Sequence, residues 1–417
     1  MHYFEIKKGW LWCEGVRTVD IAKKTGTPVY IYSHRTLAEH YLKMDEAFSA
    51  TEHLICYSLK ANSSMAIVGS LAKLGAGADI VSGGELYRAL RAGIPAGKIV
   101  YAGVGKTPEE IEAALRKGVA MFNIESMPEA EAINRIAGKL RKKVNVAFRV
   151  NPDVDANTHH YITTGKKENK FGININLALN LFIKAHRKLN NLNVTGVHIH
   201  IGSQITKIEA YVRALLKISA LIKKLRGAGL DITSLNIGGG LGIIYSNESP
   251  ATPAEFAEKI LPVIHPLGVS LIMEPGRFIV GNAGILLTKV TYVKNGESKN
   301  FVIVDAGMND LIRPSLYDAY HNIIPAQPAS GKMKADIVGP ICESGDFFGK
   351  DRTLPSLKAD QYLAVMSAGA YGFSMASNYN SRRKPAEVLV KGNKFFVVRK
   401  RETYEDLARG ECLPENL

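Results

Sequence analysis

From about residue 53 to residue 277, short apolar runs alternate with stretches of helical periodicity, the pattern of β/α units laid around a parallel sheet. Eight runs read as strands: 53–59, 78–82, 99–103, 121–125, 144–150, 194–201, 233–237 and 270–273. Amphipathic stretches at 65–74, 85–92, 108–117, 128–140, 208–225 and 253–264 read as helices, several opening on proline or an acidic residue as first turns do. Eight units in about 220 residues predict an α/β fold, a closed (β/α)₈ TIM-like barrel, whose chemistry gathers where strands end and loops begin. A doubly wound open sheet is the alternative.

After residue 280 the texture changes. The runs 285–294, 301–305, 335–338, 362–366, 388–390 and 395–399 are short, β-branched and separated by turn residues, which predicts an all-β, Greek-key-like C-terminal domain. Residues 29–33 also read as a strand, so the N-terminal segment is expected to cross over and join that domain. The expected division is therefore 1–33 with the β domain, 34–277 as the barrel and 278–417 as the C-terminal domain.

Composition changes this picture little. A chain of 417 residues exceeds one compact core, and 46% hydrophobic with 22% charged residues is ordinary for a soluble globular protein. No run approaches the roughly 20 apolar residues of a membrane span. The opening MHYFEIKKGWLW has no apolar run of signal-peptide length, so the expectation is a cytoplasmic protein with no membrane partner. Cys13, Cys56, Cys342 and Cys412 show no C-x-x-C pairing and read as free thiols. The net charge of +14 comes in short clusters at 139–143, 166–170 and 382–384. No nucleic-acid-binding pattern lies between them; they read as solvated faces, and no nucleic acid partner is expected.

On the barrel, Lys60, Asp79, Arg149, His200, the Gly238, Gly239, Gly240 triplet and the block Glu274-Pro275-Gly276-Arg277 all fall at ends of unrelated strands. Lys60 closes the run ICYSLK. Turned into a barrel mouth, it loses hydration, which lowers its pKa and makes it a nucleophile toward a carbonyl carbon; the alternative is a lysine snorkelling to solvent. The three glycines of SLNIGGG leave N–H groups unobstructed to converge on a phosphate, or simply make a tight turn. His198 and His200 share a strand face by the period of two. With no third ligand at metal spacing, a ring-stacking or core role suits them better than zinc, and no metal is expected. Ser203 in HIGSQ either donates to a phosphate or shapes its loop, and Glu274 with Arg277 alone reads as a structural ion pair. Together the parts say more. An amine able to condense with an aldehyde, a phosphate cup, a ring to stack and a carboxylate to hold a pyridine nitrogen protonated are what a pyridoxal 5'-phosphate site requires.

The motifs YSLKAN (57–62), GADIVSGGEL (77–86), HIHIGSQ (198–204), NIGGGLG (236–242) and EPGR (274–277) resemble those of the fold-type III pyridoxal-phosphate-dependent decarboxylases, a resemblance covering nearly the whole chain. Downstream, DAGMNDLIRPSLYDAYH (305–321), GPICESGD (339–346) and GAYGFSMASNYN (369–380) resemble the branch of that family acting on meso-2,6-diaminopimelate. The resemblance implies an alanine-racemase-like barrel with a β domain, and a homodimer whose active sites the partner chain completes. The reaction it implies is loss of one carboxylate to give L-lysine and carbon dioxide, the last step of lysine biosynthesis. It makes Lys60 the residue that binds the cofactor aldehyde, His200 the ring stacked on the cofactor and Glu274 the partner of its pyridine nitrogen. Ser203, Gly238, Gly239, Gly240, Pro275, Gly276, Arg277 and Tyr371 would surround the phosphate or lie close to it, with Asp79 and Arg149 supporting the ring.

For substrate, the resemblance points to Arg277, Arg313, Tyr317 and Tyr371, with Cys342 and Glu343 arriving from the neighbouring subunit. Cys342 is either the proton donor to the α-carbon or an inert loop thiol. Glu343 suits a distal ammonium, and Arg313 can grip a distal carboxylate bidentately. The rival readings are a same-fold decarboxylase of ornithine, arginine or a carboxylated polyamine, a racemase, which wants a tyrosine base in place of Cys342-Glu343, and a pyridoxal-phosphate carrier without catalysis. The connection at 151–172 reads as a specificity loop or as a plain surface loop.

Overall fold

A computed structural model describes residues 2–155 and 171–414. The chain divides into two compact units, one of residues 38–244 and 248–279, the other of residues 1–37, 245–247 and 280–417.

The first unit is a closed barrel. Its eight parallel strands are His53–Ser58, Gly77–Ile80, Ile99–Tyr101, Met121–Ile124, Val144–Asn151, Leu192–His198, Ser234–Asn236 and Ser270–Met273, each hydrogen-bonded to the next. Closure is made where Met273 pairs with Ile55, and the remaining seam, Phe122 against Val146 and Ile124 against Phe148, leaves no open edge. The open-sheet alternative is thereby excluded. Several strands stop earlier than the hydrophobic runs suggest: the third ends at Tyr101 and the sixth at His198, and the apolar residues beyond them continue into loops.

Each of the first seven strands leads to a helix. Local chemistry fixes where these begin. Thr107 accepts the Glu110 N–H and Glu110 returns a bond to the Thr107 N–H, a reciprocal cap with Pro108 at the first position; Thr252, Pro253 and Glu255 repeat it. Ser82 and Ser126 cap the Gly83–Arg91 and Met127–Lys139 helices in the same sense. A helix absent from the pattern reading, Ile175–Lys188, follows the fifth strand and is capped by Asn174.

Inside the barrel, Cys56, Val100, Met121, Ala147 and Ile272 pack as one apolar layer. Two residues further along three of those strands, on the same face of each, stand Ser58, Asn123 and Arg149, and Glu274 follows directly after a fourth; all are buried. The interior therefore changes from apolar to polar in one step toward the C-terminal strand ends.

The second unit is built on a sheet running Phe347–Leu354, Met333–Val338, Phe301–Val304, Gly284–Lys294, Val29–Ser33, Ala386–Lys391, Lys394–Arg399. Tyr362–Val365 also pairs with Gly284–Lys294 and carries Ile323–Pro325. The N-terminal strand Val29–Ser33 is central, antiparallel to Gly284–Lys294 with Ile31 opposite Ile285, and parallel to Ala386–Lys391 with Ile31 opposite Val388. All five of its residues are buried. Its two tyrosines remain satisfied: the Tyr30 hydroxyl donates to the Asp310 carbonyl at 2.6 Å and the Tyr32 hydroxyl to Glu387 at 2.8 Å. Sequence patterning gave no sign of the small sheet Phe4–Lys7, Trp10–Cys13, Val16–Arg17 or of the helix Thr18–Thr25 that follows it.

Candidate active site

In the barrel unit, the candidate residues meet at the C-terminal strand ends, as the fold requires. Lys60 does not lie on the first strand itself; that strand ends at Ser58, and Lys60 sits in the tight turn Leu59–Ala61. Nor is its amine walled in by apolar groups. The side chain is 37% exposed, and its Nζ lies 2.8 Å from Asp79 Oδ2. Pairing with a carboxylate, rather than the desolvation expected from the strand pattern, is what the site applies to this lysine. Asp79 is fully buried and also accepts the Ser58 hydroxyl. Burial pushes its carboxyl up, the charge of Glu274 adds to this, and Lys60 and Ser58 oppose it. Asp79 is thus a ready acceptor for a proton from Lys60.

Glu274, just past the eighth strand, is held by three side chains. Its Oε1 accepts from Asn123 Nδ2 at 2.8 Å and Asn236 Nδ2 at 2.6 Å, and its Oε2 lies 3.4 Å from His198 Nε2. Burial alone would raise its pKa, but the charges of His198 and Lys60 and the amide of Asn236 outweigh it, so the carboxyl is held well below its usual range. Asn123, Asn236, His198 and Ser58 were not singled out from sequence as partners of the site carboxylates. The available signal was a polar residue inside an otherwise apolar barrel strand, as in MFNI and SLN.

Behind Asn123, Lys106 Nζ is wholly buried and donates to the Gly103 carbonyl at 2.8 Å, the Asn123 carbonyl at 2.8 Å and Glu129 Oε1 at 2.5 Å. Lys106→Met strands the Glu129 carboxylate and is expected to cost about 3–5 kcal/mol of barrel stability, read as a lower denaturation midpoint; Arg116→Ala, in an exposed pair with Glu112, should barely move it.

His198 and His200 part company at the end of the sixth strand. The strand stops at His198, so the shared face inferred from the period of two does not extend to His200. His200 Nδ1 instead accepts the Gly239 N–H at 3.2 Å, which leaves the ring's hydrogen on Nε2. Desolvation, with Arg149 and Lys60 nearby, holds its pKa well below the usual value, so the ring is neutral. Arg149 pairs with Glu125 Oε1 at 3.1 Å and lies over the Phe171 ring at 4.7 Å.

The Gly238 to Gly240 triplet forms a cradle in which side chains cannot fit. A Cβ on Gly239 would stand 2.1 Å from the Glu274 carbonyl oxygen, and one on Gly240, whose φ is +116°, 2.4 Å from the Gly202 carbonyl oxygen. The Ile205 N–H bonds to the Gly240 carbonyl at 2.8 Å, so the loops after the sixth and seventh strands are tied together. Arg277 Nη2 and Nε donate to the Ser203 hydroxyl at 3.0 and 3.3 Å, placing a cation and a hydroxyl together. The Pro275 carbonyl accepts the Ser58 N–H at 3.1 Å, and Gly276 packs so closely that a Cβ would come within 2.9 Å of Ala61 Cβ. The turn that carries Lys60 is therefore seated on the EPGR block.

The remaining candidates belong to the β-rich unit. Arg313 is buried at the start of the short helix Arg313–Tyr317, with its guanidinium 4.7 Å from the Tyr245 ring. Tyr317, half-buried, ends that helix. Tyr371 has φ +56°, a left-handed conformation that costs a tyrosine about 1 kcal/mol or more. Cys342 and Glu343 are exposed; the Cys342 N–H donates to Asn380 Oδ1 at 2.9 Å, and the Tyr379 hydroxyl reaches Glu343 Oε2 at 3.5 Å. Most of the 151–172 connection, residues 156–170, lies outside the described residues.

Asp310, buried in the turn that follows Ala306, offers a pH test. Burial pushes its carboxyl up to about 7, against the pull of the Gly307 N–H and of Arg382 and Arg401. Because this lies above the ordinary value of 3.8, the associated stability is complete below about pH 4 and is lost as the pH rises through 7. Asp310→Asn stays neutral throughout, and the buried Asn309 Oδ1, which has no partner among the described residues, can turn to accept from it. The wild-type melting temperature is expected to fall between pH 5 and pH 8 by more than that of Asp310→Asn, measured by calorimetry in parallel.

Comparison with known proteins matches residues 34–281 to the family model described as pyridoxal-dependent decarboxylase, pyridoxal binding domain. Diaminopimelate decarboxylase of Vibrio cholerae is 48% identical over 419 aligned positions, covering 100% of both chains. That of Aquifex aeolicus is 50% identical, covering 97% of this chain and 96% of its own. Among solved structures, diaminopimelate decarboxylase from M. jannaschii in complex with L-lysine superposes with a TM-score of 0.94 at 40% identity, over 99% of this chain and 98% of that one. Lysine decarboxylase from Selenomonas ruminantium stands further off, at 25% identity and a TM-score of 0.80 over 89% of this chain and 94% of that one. The likeness runs through both units and not the barrel alone, and so the chain belongs to the pyridoxal-dependent decarboxylases and, within them, to the diaminopimelate decarboxylase family.

Proposed function

We infer that the protein removes carbon dioxide from one end of meso-2,6-diaminopimelate, leaving L-lysine, with pyridoxal 5'-phosphate as its cofactor. The observation that carries this reading is the end-to-end likeness at 48–50% identity to diaminopimelate decarboxylases, set beside 25% to a lysine decarboxylase. The barrel's donor set fits the cofactor. It offers an amine at Lys60, a glycine cradle into which a Cβ cannot go, the Arg277 and Ser203 pair for an anion, and at Glu274 a buried carboxylate kept ionised.

In this reading Lys60, Asp79, Arg149, His200, Ser203, Gly238, Gly239, Gly240, Glu274, Pro275, Gly276, Arg277 and Tyr371 hold the cofactor. When bound, it supplies a cationic ring that accepts the electron pair left on the α-carbon as carbon dioxide departs. Glu274 would hold a proton on the ring nitrogen, because an ionised carboxylate in a dry site favours a cation beside it. Asp79 takes and returns the proton at Lys60 Nζ, so the amine can act as a nucleophile and later leave as an ammonium. Neutral His200 offers a flat, uncharged face, its Nδ1 pinned by Gly239.

Toward the substrate, Arg277, Arg313, Tyr317 and Tyr371 bind and orient, and Arg313 takes the distal carboxylate. Cys342 and Glu343 serve the site of a partner subunit in a homodimer, Cys342 returning a proton to the α-carbon and Glu343 accepting from the distal ammonium. Their exposure on their own chain supports that assignment. Four cysteines unpaired with one another suit a reducing cytoplasm. The test is turnover by the purified protein on meso-diaminopimelate, ornithine and arginine in parallel: release of carbon dioxide and L-lysine from the first is expected, and turnover of ornithine or arginine in its place would overturn the reading.

A further inference from the structure

The motif that carries Arg313 ends eight residues later in a histidine. His321 is completely buried. Its Nδ1 lies 2.8 Å from the Met366 carbonyl oxygen, which can only accept, so the ring hydrogen is on Nδ1. In the neutral ring Nε2 then carries a lone pair, and Arg313 Nη1 stands 3.0 Å from it as donor. A carbonyl beside the strand Tyr362–Val365 thus sets the tautomer that an arginine reads.

Tyr245 completes the arrangement. The Arg313 guanidinium lies over its ring at 4.7 Å, and the His321 ring meets the same tyrosine edge-on at 5.3 Å and 81°. One contact fixes the face of the guanidinium and the other one corner of its plane, so rotation about the last side-chain bonds is stopped. A neutral acceptor also orients the guanidinium without adding a negative charge of its own. The segment bearing His321 is itself anchored, since Arg352 donates to the His321 carbonyl at 3.3 Å and lies 3.9 Å over the Tyr320 ring.

We propose that His321, with Tyr245, is a positioning residue that aims Arg313 at the distal carboxylate and so determines specificity for substrates and products that keep an amino acid group at that end. The inference rests on the reading of Arg313 as the distal carboxylate's partner.

The experiment uses the holoenzyme with His321→Leu, His321→Gln and Arg313→Gln. L-lysine is the probe that retains the carboxylate, and 1,5-diaminopentane, the same chain without it, is the control; both are measured as competitive inhibitors. For His321→Leu the KM for meso-diaminopimelate and the Ki for L-lysine are expected to rise about 10-fold or more, the loss typical of a hydrogen bond to a charged group. The kcat and the Ki for 1,5-diaminopentane should stay within about threefold, and His321→Gln, which offers an acceptor again, should recover most of the loss. A purely structural role would instead lower kcat or shift both inhibitors equally, and either result overturns the proposal. If Arg313→Gln loses the discrimination and a folded His321→Leu keeps it, the proposal falls while the reading of Arg313 stands. If Arg313→Gln keeps it, both fall. Should His321→Leu not fold, His321→Phe, which retains the ring against Tyr245, carries the same test.

Discussion

Lys60→Ala is expected to abolish carbon dioxide release from meso-diaminopimelate, with kcat down by on the order of 10³–10⁶, because no other group replaces the primary amine that the chemistry needs. The fold should survive. Lys60 is partly exposed, and the buried Asp79 it leaves behind is already pushed toward its protonated form by burial and by Glu274, so loss of the ammonium is met by uptake of a proton. Lys60→Arg separates the two roles of the side chain. It preserves a cation beside Asp79 yet supplies no nucleophile, and it should be as inactive as the alanine variant. Assays of carbon dioxide release alongside thermal melts distinguish this outcome from simple unfolding.

Glu274→Gln should lower kcat on the order of 10²–10³-fold, the usual effect of removing one preorganised electrostatic group, with little change in melting temperature. Glutamine has nearly the same shape, and its amide oxygen can still accept from Asn123 and Asn236. What disappears is the charge, and with it, in the proposed function, the pull on a proton at the cofactor's ring nitrogen. Because burial opposes ionisation at this position and three neighbours overcome it, the site is built to keep that charge. Equal activity in Glu274→Gln and wild type, measured from initial rates on meso-diaminopimelate, would remove the carboxylate from the account.

Much of this was legible in the sequence wherever local chemistry speaks for itself. Pro108 and Pro253, each with an acid in the first turn, marked two helix starts where the structure has them. The helix Ile175–Lys188 was not read from the pattern; it opens with neither proline nor an acid. The placement of Lys60, Asp79 and Glu274 at strand ends followed from the barrel prediction, but their mutual contacts did not. Asp79 is 19 residues from Lys60 and Glu274 is 151 from Asn123, and only the hydrogen-bonded closure of the sheet decides which of them touch. For the same reason the expectation of a desolvated lysine gave way to a paired one. His200 escaped its apparent strand face because the period of two ends with the strand at His198. The small N-terminal sheet has strands of four, four and two residues, too short for alternation to register.

The proposed chemistry depends first on Lys60 binding the aldehyde of pyridoxal phosphate. Borohydride reduction of the purified holoenzyme, followed by peptide mass mapping, tests it most directly. A phosphopyridoxyl group fixed irreversibly on the peptide containing YSLKAN, at the lysine and nowhere else, is the expected result. A label on a different lysine, or none on a protein that still releases carbon dioxide from meso-diaminopimelate, would contradict it.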